Sequence, residues 1–222
     1  MVSRKGLFVL SVAALASLVG GAAFAAGEKT VTPGMGIGPL RVGMARTEAL
    51  KAMGPAKPVS TTKLRGGYTE DVWRTDPAER KDPPERTLAA LSKDGRVVQL
   101  AVTDRAYRTA AGVSVATPFA RLRTLFALRA VHDFEMIEEG GGGYVLIVAD
   151  DVARGVAFTT GTQDDRGTFE SLPKLTPGSV VVHAPGKPAL PAEFGLIGKP
   201  SKPFPDSYVP RIRAYLRGGP HP

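Results

Sequence analysis

Apolar positions recur with helical spacing twice along the chain, each time after a short lead-in of alternating residues. In the first stretch, Ile37 to Val42 alternates apolar residues with Gly38 and Arg41, as a short strand does. Thr47 caps or begins a helix over Glu48–Met53, with Ala49, Leu50 and Met53 on one face and Gly54-Pro55 ending it. Tyr68 to Trp73 then sets Tyr68, Glu70 and Val72 against Thr69, Asp71 and Trp73, the period of a strand. Asp76 to Arg86, charged and proline-bearing, reads as an exposed loop. Thr87–Ser92 and Val97–Val102 flank Lys93-Asp94-Gly95-Arg96, a strong hairpin signal.

The second stretch repeats this order from Gly112. Val113 and Val115 predict a lead-in strand, Thr117-Pro118 a cap followed by proline in the first turn, and Phe119, Leu122, Leu125 and Phe126 a buried stripe. Strands are predicted at Phe134–Ile137, Tyr144–Ala149 and Val152–Thr160, with Glu138 to Gly143 as a mobile tip. After Glu170 the character changes: eleven prolines fall between Pro173 and Pro222, with one strand at Val180–His183. Tyr208, Ile212 and Tyr215 are spaced for one helical face. A segment that short does not hold a helix alone, so an extended or partly disordered tail is expected.

The stretch Leu40-Arg41-Val42-Gly43-Met44 before the first helix echoes Val113-Ser114-Val115-Ala116-Thr117 before the second, 73 positions on. Likewise Gly95 to Leu100 echoes Ala153 to Phe158. Such self-similarity predicts a duplicated unit. The fold class is therefore α+β: two degenerate repeats of a short helix packed on an antiparallel sheet, spanning residues 37–105 and 106–170, after a leader at 26–36 and before a proline-rich extension at 171–222.

The first residues form a separate unit. Arg4 and Lys5, an apolar run from Gly6 to Val19 and the small-residue site Ala23-Phe24-Ala25 predict a cleaved signal peptide over residues 1–25. The run is shorter than the roughly 20 residues a membrane span needs, so no transmembrane segment is expected. With no cysteine, no lipid anchor and no disulfide are available, which predicts a periplasmic or extracellular protein held by its core alone. Residues 41–130 carry 17 basic against 9 acidic residues, 131–170 carry 2 against 9, and 171–222 carry 7 against 2. That asymmetry suits either attraction of an anionic polymer or attraction between the two halves.

Reactive chemistry is sparse. His132, His183 and His221 lie far apart and read as lone exposed histidines, so no metal is expected. Asp150-Asp151 and Asp164-Asp165 lack calcium-loop spacing and suit turns. There is no nucleophile elbow, and Gly34-Met35-Gly36-Ile37-Gly38 lacks the preceding strand and following unit of a dinucleotide fingerprint; no cofactor and no catalytic residue are assigned. Glu70, Asp71, Glu135, Glu138 and Glu139 leave a carboxylate-pair mechanism open. Tyr68, Trp73 and Tyr107 beside Arg65, Arg74, Arg105 and Arg108 read either as a polymer-binding strip or as half-buried strand positions.

Leu40-Arg41-Val42-Gly43-Met44, Glu48, Met53-Gly54-Pro55, Trp73 and Asp94-Gly95-Arg96-Val97-Val98 together resemble the exported BamE/SmpA-OmlA-like module. The tandem arrangement is similar to the β-lactamase-inhibitor-protein architecture. The resemblance implies a non-catalytic exported protein that binds something; with the repeat and the charge split, the partner expected is a protein or an anionic envelope polymer, and no nucleic acid. Its expected surface is the shared sheet face, marked by Tyr68, Trp73, Arg74, Phe134 and Tyr144. A hydrolase of wall or extracellular polymers and an inhibitor of a secreted hydrolase are the alternatives.

Overall fold

The computed structural model describes residues 29–81, 84–137, 143–162, 170–192 and 209–219, the side chains of 130–146, 161–162 and 209 excepted. The predicted signal peptide, the Glu138–Glu139 tip, Asp164-Asp165 and His221 lie outside the described residues.

Eight strands form one antiparallel sheet. These are β4 (Ser60–Leu64), β5 (Tyr68–Arg74), β6 (Thr87–Lys93), β7 (Arg96–Val102), β8 (Arg129–Ile137), β9 (Gly143–Asp151), β10 (Val156–Thr162) and β11 (Ser179–His183). Their order is β4-β5-β6-β7-β11-β10-β9-β8, so two meanders meet where β7 pairs with β11. The class is α+β, as expected. The predicted hairpin joins β6 to β7, with Asp94 at φ 50° and Gly95 at φ 75°, the left-handed pair a type I′ turn requires. Ahead of the sheet, β1 (Val31–Thr32), β2 (Gly36–Ile37) and β3 (Leu40–Arg41) make a small antiparallel sheet of their own.

Helix α1 (Arg46–Ala52) starts earlier than the sequence suggested. Ala45, not Thr47, is the N-cap, because the Glu48 carboxylate accepts the Ala45 N–H at 2.9 Å. Helix α2 (Phe119–Leu125) begins after Pro118, which is its N-cap. No strand precedes it at Val113–Val115. There the Thr109 and Thr117 hydroxyls accept the N–H groups of Val113 and Ser114 at 3.1 and 3.0 Å, giving the backbone local partners in place of a ladder.

Two further corrections concern the chain after Glu170. Strand β11 sits between β7 and β10 near the middle of the sheet, so this region supplies a central strand and is no mere extension. Helix α3 (Val209–Leu216) forms at the end, with Ile212, Tyr215 and Leu216 in the main core. A short helix is stable when its apolar face is buried, and here the sheet and α2 provide that burial. The Arg123 guanidinium stacks on the Tyr215 ring at 4.1 Å.

The main core lies between one sheet face and the helices, where Trp73, Leu88, Leu100, Phe158, Val180 and Val182 meet Phe119 and Leu122. Helix α1 is tied to the sheet by an ion pair: Arg46 Nε and Nη2 reach Asp71 Oδ2 and Oδ1 at 2.6 and 2.7 Å. That contact raises the Arg46 pKa through the hydrogen bond first and the Asp71 charge last, with burial opposing both.

Candidate functional site

The other face of the same sheet is built from the alternate residues of each strand. One row crosses all eight strands in register: Ser60, Val72, Ala89, Ala101, Val181, Ala157, Asp150 and Arg129. Its middle is made of small residues, which leaves depth above the backbone.

Part of this face is covered by the segment that follows β11. Gln99 pairs with the Leu190 backbone through both amide atoms, its Nε2 donating to the carbonyl at 2.8 Å and its Oε1 accepting the N–H at 2.7 Å. Asp150 Oδ2 accepts the Ala189 N–H at 2.8 Å, while Oδ1 lies 2.9 Å from His183 Nε2. Ala189 is buried against Ala101, Val148, Ala157 and Val181, and Ala192 against Leu91. Residues 184–192 thus form a strap across the sheet. A register shift between Leu91 and Ser92 aids this, because it leaves Val98 unpaired, packed beside Leu190.

Next to the strap the face is open. A cleft of about 300 Å³ is lined by Glu70 and Val72 of β5, Thr87 and Ala89 of β6, Ala101 and Thr103 of β7, Thr159 of β10 and Gly178 beside β11. Its hydroxyls are mutually ordered. Thr87 and Thr103 lie 3.2 Å apart, and Thr159 and Ser179 lie 2.8 Å apart. Just beyond Thr103, the buried Asp104 carboxylate accepts bonds from Lys29, Thr75 and the Ala106 N–H at 3.3, 2.9 and 2.9 Å. Burial pushes that carboxyl up, but the hydrogen bonds and the Lys29 charge outweigh it and hold it below the usual range. Beside it, burial and the Asp104 charge push the Tyr107 hydroxyl up.

Of the sequence-predicted surface residues, Tyr68 and Arg74 lie on this face of β5. Tyr68 packs beside the strap, with Lys93 Nζ 4.9 Å from its ring centroid. Arg74 holds the following loop through the Glu79 and Lys81 carbonyls at 2.6 and 3.1 Å. Trp73 does not belong to the surface: it is 1% exposed and points into the core, because adjacent strand residues face opposite ways. Phe134 lies in β8 opposite Leu146, and Tyr144 in β9 opposite Met136; their side chains are outside the described residues.

The histidine and aspartate readings also change. His183 is buried and bonded, not exposed, and Asp150 and Asp151 are buried at the end of β9, not in a turn. Among the described residues, no group of three or more acidic, histidine or cysteine side chains is arranged to hold a metal. The cleft residues missed by sequence reasoning are alanines and threonines, which carry no motif; only their in-register alternation marks them.

No protein-family model matches the sequence, and no curated protein matches it. Two solved structures are similar. An extracellular protein containing an SCP domain from Bacillus anthracis strain Ames has a TM-score of 0.41 at 12% identity, covering 78% of this chain and 52% of its own. A cysteine-rich secretory protein from Staphylococcus aureus Mu50 has a TM-score of 0.40 at 12% identity, covering 70% and 46%. The chain therefore spans about half the length of each. These neighbours are neither BamE/SmpA-OmlA-like modules nor β-lactamase-inhibitor proteins, which corrects the resemblance read from Leu40 to Val98. The physical reason is that most of the quoted residues answer local demands: Gly43 turns at φ 88°, Glu48 caps a short helix, Gly54 ends it at φ 64°, and Asp94-Gly95 makes a hairpin turn. Many folds make those demands.

Proposed function

We propose that this is a non-enzymatic exported protein that holds a protein partner in the open sheet-face cleft. The observation that carries the reading is the cleft itself: a floor of small residues and ordered hydroxyls that runs from β5 to β10 across the junction of the two meanders. Such a floor suits an inserted loop, since it offers depth, apolar contact and hydroxyl donors and acceptors without a reactive group. Glu70 is the single carboxylate among the described lining residues, which disfavours the paired-carboxylate hydrolase there. Export rests on Arg4, Lys5, the apolar run and Ala23-Phe24-Ala25. Among the described residues no helix is long and apolar enough to cross a membrane.

The same reading takes the two halves as degenerate copies. Each runs as a helix followed by four strands in a meander. Each helix start is tied to the connection between the third and fourth strands of its own half: Arg46 N–H donates to Gly95 O at 2.8 Å, and Phe119 N–H to Leu175 O at 3.0 Å. In this scheme β7 corresponds to β11, so the echo of Gly95–Leu100 in Ala153–Phe158 joins strands of different position.

The test is capture from envelope extracts at moderate salt with wild-type protein, Ala89→Arg and Ala101→Arg. The expected result is one partner retained by wild type and lost with both variants. A partner retained equally by all three, or no partner at all, counts against the reading.

A further inference from the structure

On the helix-bearing side of the sheet, the C-terminal ends of α2 and α3 meet the start of β8 around a cavity of about 560 Å³. Phe126, Leu128 and Leu216, all buried, give it an apolar wall, and Arg123 and Arg217 give it a basic rim, joined by Arg129, which starts the row on the other face but borders this cavity because β8 is the edge strand. No described lining residue is acidic. The carboxylate next to it, Asp151, is already engaged: Oδ2 accepts the Ala127 N–H at 3.0 Å, Oδ1 accepts the Arg154 N–H at 3.2 Å, and the Arg154 Nε lies 3.8 Å away.

Two of the three guanidiniums are set in place by the protein. Arg123 stacks on Tyr215 and donates from Nη1 to the Gly219 carbonyl at 3.2 Å, and Arg217 Nε donates to the Arg213 carbonyl at 3.2 Å. Each bond uses one of five N–H donors, leaving the others for an oxyanion in the fork geometry that suits phosphate and carboxylate. Because these side chains are ordered in advance, less entropy is lost on binding. Three like charges around one apolar wall also repel each other, and an anion placed among them relieves that repulsion.

We propose that this cavity binds a small amphipathic anion, with a phosphate or carboxylate head among Arg123, Arg129 and Arg217 and an alkyl body against Phe126, Leu128 and Leu216. The volume falls in the range of roughly 300–1,000 Å³ typical of small-molecule sites. The cavity shares no residue with the sheet-face cleft, so the two readings stand or fall separately.

Calorimetric titration of the whole protein with octyl phosphate, below its micelle concentration, tests this. Saturable one-to-one binding is expected, weakened about tenfold or more by Arg129→Glu and by Arg217→Glu and unchanged by Lys174→Glu. Inorganic phosphate and octyl maltoside, head and tail alone, should each bind far more weakly. Phosphatidylglycerol vesicles that compete with octyl phosphate, where phosphatidylcholine vesicles do not, would make the source a lipid headgroup; absence of competition would make it a soluble amphiphile. Both Arg129 and Arg217 are exposed, so the variants should melt like wild type. No binding of octyl phosphate, wild-type affinity in both arginine variants, or equally tight binding of inorganic phosphate overturns the proposal.

Discussion

Asp150 Oδ1 lies 2.9 Å from His183 Nε2 beneath the strap, joining β9 to β11, while the other carboxylate oxygen holds the Ala189 N–H. One side chain thus ties two strands and the strap together at a fully buried position. Asp150→Ala removes both bonds and leaves buried donors unpaired, so a loss of about 2–4 kcal/mol in urea unfolding is expected. Hydrogen exchange at Ala189 should accelerate in the same variant.

Gln99 holds the strap by a second, independent contact. Gln99→Leu keeps the volume but strips the Leu190 N–H and carbonyl of their partners, at a cost of about 1–3 kcal/mol. Exchange should rise at Leu190 and stay slow at Val181, in the middle of the sheet. Equal acceleration at both would mean global destabilisation and not release of the strap.

Arg46 and Asp71 clamp α1 to β5, and Thr61 adds a hydroxyl at 2.8 Å to the same carboxylate. Arg46→Met should cost about 2–4 kcal/mol in denaturant unfolding, somewhat less than the roughly 3–5 kcal/mol of breaking a fully buried pair, because the Arg46 side chain is 33% exposed. The double variant Arg46→Met with Asp71→Leu should recover part of that loss, since it leaves no buried charge unpaired.

The Asp104 carboxyl, held below its ordinary range, stabilises the fold above the unfolded-state pKa of about 4, and that contribution fades as pH falls through the lower folded value. Asp104→Asn should therefore lower the melting temperature at neutral pH and converge on wild type in acid. A stability gap that persists unchanged below the folded value would contradict this assignment.

The hairpin at Asp94-Gly95 and the strand ending at His183 were legible because turn chemistry and apolar runs act locally. Strand β4 was not: Ser60 to Lys63 is an exposed edge, with no apolar alternation to read. Trp73 was misassigned because alternation in β5 separates two faces without saying which one is buried. Pairing of His183 with Asp150, 33 positions apart, depends on β11 entering the middle of the sheet, which no local pattern encodes. The cleft floor was hidden for a related reason, since alanine and threonine become a site only in register.

The most direct test of the central claim is site-specific photo-crosslinking in the native envelope, with the photoreactive residue placed at Thr103 in the cleft or at Lys57 on an exposed loop. A discrete protein adduct from Thr103, absent from Lys57 and abolished by Ala89→Arg, is the predicted result. The same adducts from both positions, or none from Thr103, would contradict the account.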